Sequence, residues 1–449
     1  MDAPDRSRPL PEIPRRTFLK TAAGLGAAAG IEGVLAARRA PAFAQGTKIH
    51  LLQWVDFIPE GDVEVRRQVA EYAKQTKVEV TFETINANDL QPRITAAIQS
   101  GSGADIIMML HNWPHLYAGG LADIGDLADW KKSDQGGYYP HSDAAARVGN
   151  RWLGLPYFTG APLIAYRKSW FAEVGASQPP KTLEEYKKIG IALKKKGKPI
   201  GQTLGHTFGD APAWSYPLMW NHGGAETDRG GKTALDTKET VESVKFMQAF
   251  WKDACDEGGL AWDDTNNNRA FHAGEIGATL NGASIYIFAK RNPDKIKDEK
   301  GEPMWRDIAH MAIPDGPSGR TPPYAVAFSH GLMKYSKNQK AAKEFLKWFH
   351  GKDAFGKWFE IENGYALGAA TSWESHPMWE RLDDSLKPFR TSPRGTRMLG
   401  HAGPPTAKAT EAYTKYVITD MYAKAAQGTA PADAVKWATE ELKKIYEGS

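Results

Sequence analysis

The chain is poor in cysteine, with Cys255 the single one among 449 residues. One cysteine excludes an intrachain disulfide and any paired-cysteine metal or redox site. The residue directly after the N-terminal segment 1–44 is Gln45 and not cysteine, which argues against a lipid anchor at that point. We therefore expect Cys255 to be a small buried hydrophobic residue on the apolar side of a helix.

The chain also lacks a large excess of charge. The formal net charge of the whole sequence is +4. Residues 1–44 hold seven of the 57 basic and four of the 53 acidic residues, which leaves 50 basic against 49 acidic residues. Such a balance gives no electrostatic basis for binding nucleic acid or an anionic membrane surface.

A long uninterrupted apolar run is missing as well, even in the N-terminal segment. Arg15 and Arg16 precede a weakly apolar run rich in Ala and Gly, which Glu32 interrupts. That run is too short for a membrane span. Because the segment ends in an A-x-A motif, we predict that 1–44 is a twin-arginine-type signal peptide, cleaved after Ala44, and that the mature protein is periplasmic.

The segment GGAETDRGGKT resembles a phosphate-binding loop at its end. The G-x-x-x-x-G-K-[ST] signature requires a glycine where this chain has Glu226, and no apolar strand precedes the segment. We interpret it as a turn-rich connector in which Lys232 is solvated. Asp236 and Glu239 then predict a capping box for a helix from Thr237 to Ala254.

Strand and helix patterns alternate at the start of the mature chain. Apolar strands are predicted at 48–55 and 104–110, and a strand with one polar face at 77–84. Helices are predicted between them, over 62–76 and over 88–100, the second with Asn88 and Gln91 as its capping pair. This order indicates an open α/β sheet, whose ligands bind beyond the carboxyl ends of its strands.

Aromatic and polar residues follow two of these strands directly. Trp54 and Asp56 come after the first strand, and His111, Asn112 and Trp113 come after the third. Packing is the ordinary role of a tryptophan, but the position at two strand exits makes a ligand role equally plausible. We predict that all five residues contact a ligand.

Seven segments of the chain follow one another in the order of a known family. They are ITAAIQSGSGADIIMM, RWLGLPYFTGAPLIAYRKSWFAEVGASQPPKTLEEYKKI, NHGGAETDRGGKTALDTKETVESVKFMQAF, FHAGEIGATLNG, AIPDGPSGR, KYSKNQKAAKEFLKWF and AQGTAPADAVKWATEEL. Through them the chain resembles bacterial extracellular solute-binding proteins of the sugar-transporting ABC type, the maltose-binding-like group. The resemblance covers nearly all of residues 48–446.

The resemblance implies an α/β, two-lobed periplasmic-binding-protein fold of type II. Each lobe would be an open sheet flanked by helices, and crossing strands would join the lobes so that they close on a ligand like a hinge. The first lobe would comprise 45–157 and 324–368, and the second 160–313 and 374–446. The chain would cross between them near 158–160, 314–323 and 369–373.

The resemblance also implies further ligand-binding positions. Ser284 stands where many members of the group stack a tryptophan on a sugar, so this chain departs from the usual platform there. The remaining positions lie in the matching segments of both lobes or in the stretches beside them, and they are Tyr157, Trp214, Tyr216, Trp220, Asn221, Tyr286, Ser329 and His330.

The motif HNWPH resembles a zinc site without completing it. His111 and His115 stand four residues apart, but the glutamate is missing and Pro114 lies where a helix is needed. The chain has no G-x-S-x-G nucleophile motif either. We predict no catalytic residue.

The motif DTNNNRAFHAGE resembles a calcium loop through Asp264, Asn266, Asn268 and Glu275. Arg269 occupies the position where such a loop needs glycine. Asn268 is better interpreted as the cap of the helix that follows. We predict neither a metal nor a cofactor.

By resemblance, the protein is the substrate-binding component of an ABC importer. Its partners would be a small-molecule ligand (a sugar, an oligosaccharide or a polyol, with glycerol-phosphate-like solutes as a further option) and the permease subunits in the membrane. We expect a monomer. The alternative is an exported carbohydrate-active enzyme, a hydrolase, which would turn its ligand over rather than return it unchanged.

Overall fold

The computed structural model describes residues 46–448, so the predicted signal peptide lies outside the described residues. Eleven strands occur in this part of the chain. In chain order, β1 to β11 are Lys48–Trp54, Glu79–Ile85, Ile106–Leu110, Arg147–Val148, Arg151–Trp152, Leu155–Gly160, Leu163–Arg167, Ala278–Asn281, Ile308–Met311, Val326–Leu332 and Leu367–Gly368.

Helices connect and cover these strands. In chain order, α1 to α17 are Pro59–Thr76, Ala87–Ser100, Trp113–Leu116, Gly125–Gln135, Pro140–Ala146, Lys168–Glu173, Leu183–Lys195, Asp210–His222, Lys238–Ala254, Asn266–His272, Ser284–Arg291, Gln339–Phe349, Lys352–Glu362, Met378–Arg381, Ala407–Thr414, Val417–Ala426 and Pro431–Tyr446. Short 3-10 helices lie at Glu257–Ala261, Met304–Asp307, Thr371–Ser375 and Lys387–Thr391. Among the described residues, none of these helices has the length and apolar character needed to cross a membrane.

A six-stranded sheet forms the centre of the first lobe, in the order β11-β6-β10-β3-β1-β2. β1 is parallel to β2 and β3, as the alternation of strands and helices predicts. Every residue of β3 is buried, as expected for a strand covered by helices on both faces. β10 returns from a distant part of the chain and pairs antiparallel with both β3 and β6.

A three-stranded antiparallel sheet, in the order β8-β7-β9, forms the centre of the second lobe. The amphipathic helix α9 packs there against α7, α8, α16 and α17. Only Ala161 and Pro162 separate β6 of the first sheet from β7 of the second. The exact lobe boundaries stay a prediction.

The sequence misplaced the starts of three helices. Asn86 caps α2, because its side chain accepts the backbone N–H of Asn88 at 2.9 Å, and the predicted caps Asn88 and Gln91 lie inside the helix. α9 is capped by Thr237, whose hydroxyl accepts the N–H of Thr240, and not by Asp236 and Glu239. Asn268 lies inside α10 rather than at its cap.

The connector before α9 is a turn, as predicted. Thr227 and Thr233 form an antiparallel bridge, and the N–H of Asp228 donates to the carbonyl oxygen of Lys232 at 2.8 Å. The Lys232 side chain is exposed. Glu226 is instead fully buried, where it accepts the Tyr446 hydroxyl at 2.7 Å. The position that a phosphate loop would give to glycine therefore serves the internal packing of the second lobe.

Cys255 follows α9 directly as its C-terminal cap. Its side chain is buried and free of any disulfide. The prediction of a small buried hydrophobic residue is confirmed, although Cys255 lies just beyond the helix rather than on its face.

Candidate functional site

The candidate site is a cleft between the two sheets, divided into two compartments. The inner compartment is a cavity of about 60 Å³. The outer compartment is a cavity of about 180 Å³. Phe57, Phe208 and Asp264 line both, so they form the partition between the compartments.

Five aromatic residues of the first lobe form one side of the inner compartment, and we call them the aromatic wall: Trp54, Phe57, Phe158, Phe328 and Tyr365. The rings of Phe158 and Phe328 stack with centroids 4.0 Å apart, and Trp54 lies 4.8 Å from Phe328. Trp54 ends β1, while Phe158 and Phe328 face each other across the paired strands β6 and β10. The wall is thus built by strand register, which fixes its rings in place.

Residues of the second lobe form the opposite side, and we call them the polar wall: Gly209, Asp210, Asp264, Asn281 and Gly282. Asp264 accepts the backbone N–H groups of Gly209 at 3.1 Å and of Asp210 at 2.8 Å. These N–H groups belong to the N-terminus of α8, which has no intrahelical acceptor for them and whose dipole favours negative charge. The start of α8 therefore points at the cleft with a carboxylate beside it.

The first residue of α8, Asp210, is held from one side. Its Oδ2 accepts the side-chain amide of Asn267 at 2.6 Å and that of Asn281 at 3.4 Å. Burial, together with the neighbouring negative charge of Asp264, raises the pKa of Asp210 well above its usual value. Burial raises the pKa of Asp264 to about 6. The polar wall thus contains two carboxyl groups that are poorly solvated.

The outer compartment is lined by short segments of both lobes. The first lobe contributes Val55–Phe57, after β1, and Asn86–Asn88, at the start of α2. The second lobe contributes Thr207, Phe208 and 263–265. Burial raises the pKa of Asp56 to about 8. The hydrogen bond that its carboxyl group accepts from the Ile58 N–H lowers the pKa, but by less than burial raises it.

Of the predicted ligand-binding residues, Trp54 and Asp56 line these compartments. They lie at the carboxyl end of β1, where the sequence predicts ligand contacts. The other twelve predicted residues line neither compartment, and their ligand contacts stay predictions.

His111 lies beside the cleft and joins its two sides. Its ring Nε2 is 3.0 Å from the carbonyl oxygen of Phe208, and its Nδ1 is 2.9 Å from the Tyr324 hydroxyl. Burial lowers the pKa of His111 to about 3, so the ring is neutral, and a ring that donates from Nε2 and accepts at Nδ1 fits both distances. The backbone of His111 is left-handed, with φ of 50°, which is uncommon for residues other than glycine. His111 therefore couples the exit of β3 to the second lobe.

Asn112 and Trp113 are buried behind His111. The Asn112 side-chain amide donates to the carbonyl oxygen of Thr406 at 3.1 Å. Trp113 is 2 % exposed. Both residues pack the exit of β3 against α15.

Four of the predicted aromatic and amide positions lie together in α8: Trp214, Tyr216, Trp220 and Asn221. Every residue of α8 is buried, so this helix runs through the interior of the second lobe and only its start reaches the cleft. Trp214 stacks on Phe250, and its Nε1 lies 3.2 Å from the sulfur of Met247. The three aromatic residues pack against neighbouring side chains, and the Asn221 side-chain amide donates to the Thr321 hydroxyl at 2.9 Å.

Two predicted residues of the second lobe bond to protein groups. The Ser284 hydroxyl donates to the Asn281 side-chain carbonyl oxygen at 3.0 Å, and so holds this residue of the polar wall in place. The Tyr286 hydroxyl donates to Asp383 at 2.8 Å.

Three predicted residues of the first lobe are core residues. Tyr157 stacks on Trp358 with centroids 4.8 Å apart. His330 lies 2.8 Å from His350 and 2.6 Å from Gln53. Ser329 is buried against Gly154.

The residues that the sequence missed are those that meet only in the folded chain, namely Phe57, Phe158, Phe208, Asp210, Asn281, Phe328 and Tyr365. Asp210 had one local signal, since it opens a strongly aromatic helix after Gly209. Asp264 was considered only as a calcium ligand. Its carboxylate instead receives two backbone N–H groups.

In the described part of the chain, no three His, Cys, Asp or Glu side chains are grouped so that they could hold a metal ion. The two histidines of the HNWPH motif contact backbone carbonyl oxygens instead. Nε2 of His111 lies 3.0 Å from that of Phe208, and Nε2 of His115 lies 2.8 Å from that of Ala144.

The sequence matches the bacterial extracellular solute-binding proteins over residues 67–384 and a twin-arginine translocation signal over residues 12–31. The diacetylchitobiose binding protein of Streptomyces coelicolor is 24% identical over 401 residues, which cover 83% of this chain and 84% of that protein.

Two solved structures share the fold. The maltose-bound MalE3 protein of T. maritima has a TM-score of 0.75 at 19% identity, covering 88% of this chain and 99% of that one. A ribitol-bound ABC transporter solute-binding protein of Agrobacterium radiobacter K84 has a TM-score of 0.73 at 18% identity, covering 89% of this chain and 99% of that one. The two-lobed α/β architecture expected from the sequence is confirmed.

Proposed function

The chain belongs to the family of bacterial extracellular solute-binding proteins, and from that premise we propose that it captures a sugar or a polyol in the cleft for an ABC importer. Its twin-arginine signal marks it for export to the periplasm. The diacetylchitobiose-, maltose- and ribitol-binding relatives support a polyhydroxylated ligand.

The observation that carries the proposal is the pairing of the aromatic wall with the polar wall across one cavity. Sugars and polyols present C–H faces that pack on aromatic rings, and hydroxyl groups that need acceptors and donors. Asp210 and Asn281 are such partners, and they face Trp54 and Phe328. A net hydrogen bond contributes about 1 kcal/mol, so micromolar binding at about 8 kcal/mol needs contacts from both walls.

Hinge closure follows from where the walls are attached. Each wall belongs to a different sheet, and the two-residue link Ala161-Pro162 between β6 and β7 lies at the cleft. A ligand that touches both walls favours the closed arrangement, because only closure completes both sets of contacts. The permease subunits would then recognise the closed shape.

We expect the protein to return its ligand unchanged. A glycoside hydrolase places two carboxyl groups on either side of the scissile bond. Here Asp264 uses both of its oxygens to accept backbone N–H groups. The diacetylchitobiose-binding relative and the maltose- and ribitol-bound structures support binding over hydrolysis.

The test is a thermal-shift screen of the purified mature protein against sugars, oligosaccharides and polyols. A ligand at one hundred times its Kd should raise the free energy of unfolding by about 2.7 kcal/mol. Recovery of the ligand intact after incubation, followed by NMR, separates binding from hydrolysis. A screen in which no polyhydroxylated compound shifts the melting temperature would contradict the proposal.

A further inference from the structure

The charged residues that line the cleft are all acidic. Across the two compartments they are Asp56, Asp210, Asp263 and Asp264, and the described lining includes no Lys, Arg or His. No Lys, Arg or His of residues 46–448 forms an ion pair with any of the four. The chain outside its signal is nearly neutral, so this excess of acidic over basic residues is local to the cleft.

Elsewhere in the same lobe, buried ionisable groups have partners. The Arg167 guanidinium is fully buried, and it donates to Asp307 at 2.7 Å and to Glu299 at 3.0 Å. The buried Glu226 accepts the Tyr446 hydroxyl at 2.7 Å and the Gly400 N–H at 3.0 Å, one on each carboxyl oxygen. A buried charge is tolerated when it is paired or hydrogen-bonded in this way and is costly when it is not.

Asp210 leaves one carboxyl oxygen to the inner compartment. The side chain is 8 % exposed, and Oδ2 is held by Asn267 and Asn281. Among the described residues, no donor reaches Oδ1. Burial and the charge of Asp264 hold the pKa of this group well above its usual value, which a positive charge in the cavity would counteract.

The opposite side of the inner compartment also suits a cation. The five rings of the aromatic wall line one side of the cavity, with Phe208 beside them. The face of an aromatic ring attracts an ammonium group electrostatically, most strongly where water is excluded. An ammonium group bound there would stabilise the ionised form of Asp210 and pair with it, which a neutral hydroxyl cannot do.

The sizes of the two compartments indicate which part of such a ligand each one can hold. A cavity of about 150 Å³ holds a six-membered ring such as benzene, and a water-sized group occupies about 30 Å³. The inner compartment, at about 60 Å³, is the smaller of the two and suits a compact head group. The outer compartment, at about 180 Å³, has room for a ring or a folded polyol chain.

We propose that the ligand is an amine-bearing polyhydroxylated solute, an amino sugar or an amino polyol, whose ammonium group lies between Asp210 and the aromatic wall while its hydroxylated part occupies the outer compartment. The proposal rests on the function proposed above and narrows its ligand class.

The experiment compares matched pairs of probes by isothermal titration calorimetry at pH 7.5. The pairs are D-glucosamine with D-glucose and 1-amino-1-deoxy-D-glucitol with D-glucitol. In at least one pair, the amine should bind at least tenfold more tightly than its neutral partner. Asp210→Asn should bring that ratio close to one, while Asp253→Asn, which removes an exposed carboxylate on α9, should leave it unchanged.

A second probe separates failure of this inference from failure of the proposed function. Methylammonium, compared with methanol, tests the inner compartment without any sugar. If neither pair binds but methylammonium raises the melting temperature of the wild type and not of Asp210→Asn, the cation site stands and the sugar function falls. If methylammonium also has no effect, the cation site falls too.

Equal or tighter binding of the neutral members would overturn the inference and leave the proposed function intact. Circular dichroism should confirm that Asp210→Asn is folded. Phe328→Leu is the second variant, because it removes a ring of the aromatic wall while keeping an apolar side chain, and it should also lower the ratio.

Discussion

The aromatic wall and the polar wall face each other across one cavity, but they differ in how far the protein itself satisfies them. The rings of Phe158, Phe328 and Trp54 pack on one another at 4.0 and 4.8 Å, so this wall is stable without a ligand. The carboxyl groups of Asp210 and Asp264 are buried beside each other, and no Lys, Arg or His of residues 46–448 forms an ion pair with either of them. The aromatic wall is preformed, whereas the polar wall is completed by what binds.

The largest expected effect separates wall residues from core residues. Trp54 and Trp214 are both almost fully buried, at 2 % and 1 % exposure, but only Trp54 lines the cleft. Each change to alanine should lower the free energy of unfolding by about 3–5 kcal/mol, since both remove a large packed side chain. Trp54→Ala should also weaken ligand binding by at least tenfold, and Trp214→Ala should not. Denaturant unfolding measures the free energy of unfolding, and calorimetry measures the ligand affinity. Weaker ligand binding by Trp214→Ala would show that the ligand site includes the interior of α8.

The next effect concerns the pH dependence of the polar wall. Burial raises the folded-state pKa of Asp264 to about 6, above its unfolded value, so the protonated form is favoured by folding. This contribution is complete below the unfolded pKa near 4 and is lost as pH rises through about 6. We expect the free protein to lose on the order of 2–3 kcal/mol of stability from this wall over that range.

Asp56, Glu226 and Glu362 also have raised pKa values and shift stability in the same direction. The comparison with Asp210→Asn isolates the wall, because this variant removes one titratable group of the interacting pair Asp210 and Asp264. Its free energy of unfolding should fall less steeply between pH 4 and 7 than that of the wild type. Parallel curves for the two proteins would show that the wall carries no unpaired charge.

A smaller effect is expected at the partition between the compartments. Phe57 is half-buried and lines both compartments, so Phe57→Ala should weaken ligand binding by about 1–2 kcal/mol with little loss of stability. Phe288→Ala is the matched control, because Phe288 is 43% exposed and lines neither compartment. Equal ligand affinities of the two variants would show that Phe57 does not contribute to ligand binding.

The smallest effect lies at the rim, where an ion pair links the two sides of the cleft. Arg291, at the end of α11, donates to Glu60 of α1 at 2.6 Å and to the carbonyl oxygen of Ile361 at 2.7 Å. Exposed ion pairs contribute about 0.2–1 kcal/mol and are screened by salt. Arg291→Ala should weaken ligand binding less than tenfold, and less so in 1 M salt. A larger loss that salt does not reduce would assign Arg291 to the site itself.

The sequence predicted the parts of this comparison that depend on local pattern. The apolar runs of β1 and β3 and the polar exit at Trp54 and Asp56 follow from periodicity and strand order. Phe158 and Phe328 could not be found in this way, because they meet only through the antiparallel register of β6 and β10, which are far apart in the chain. The aromatic run of α8 looks the same in sequence whether it lines a cleft or fills a core. Its burial on all sides is visible only in the folded lobe.

The most direct test of the account is small-angle X-ray scattering of the mature protein with and without its tightest-binding solute. If the ligand joins the aromatic wall to the polar wall, it should reduce the radius of gyration of the wild type. Asp210→Asn, which leaves the aromatic wall intact, should need more ligand to reach the same compact state. A ligand that binds tightly to the wild type without compacting it would contradict closure of the two walls on a shared ligand.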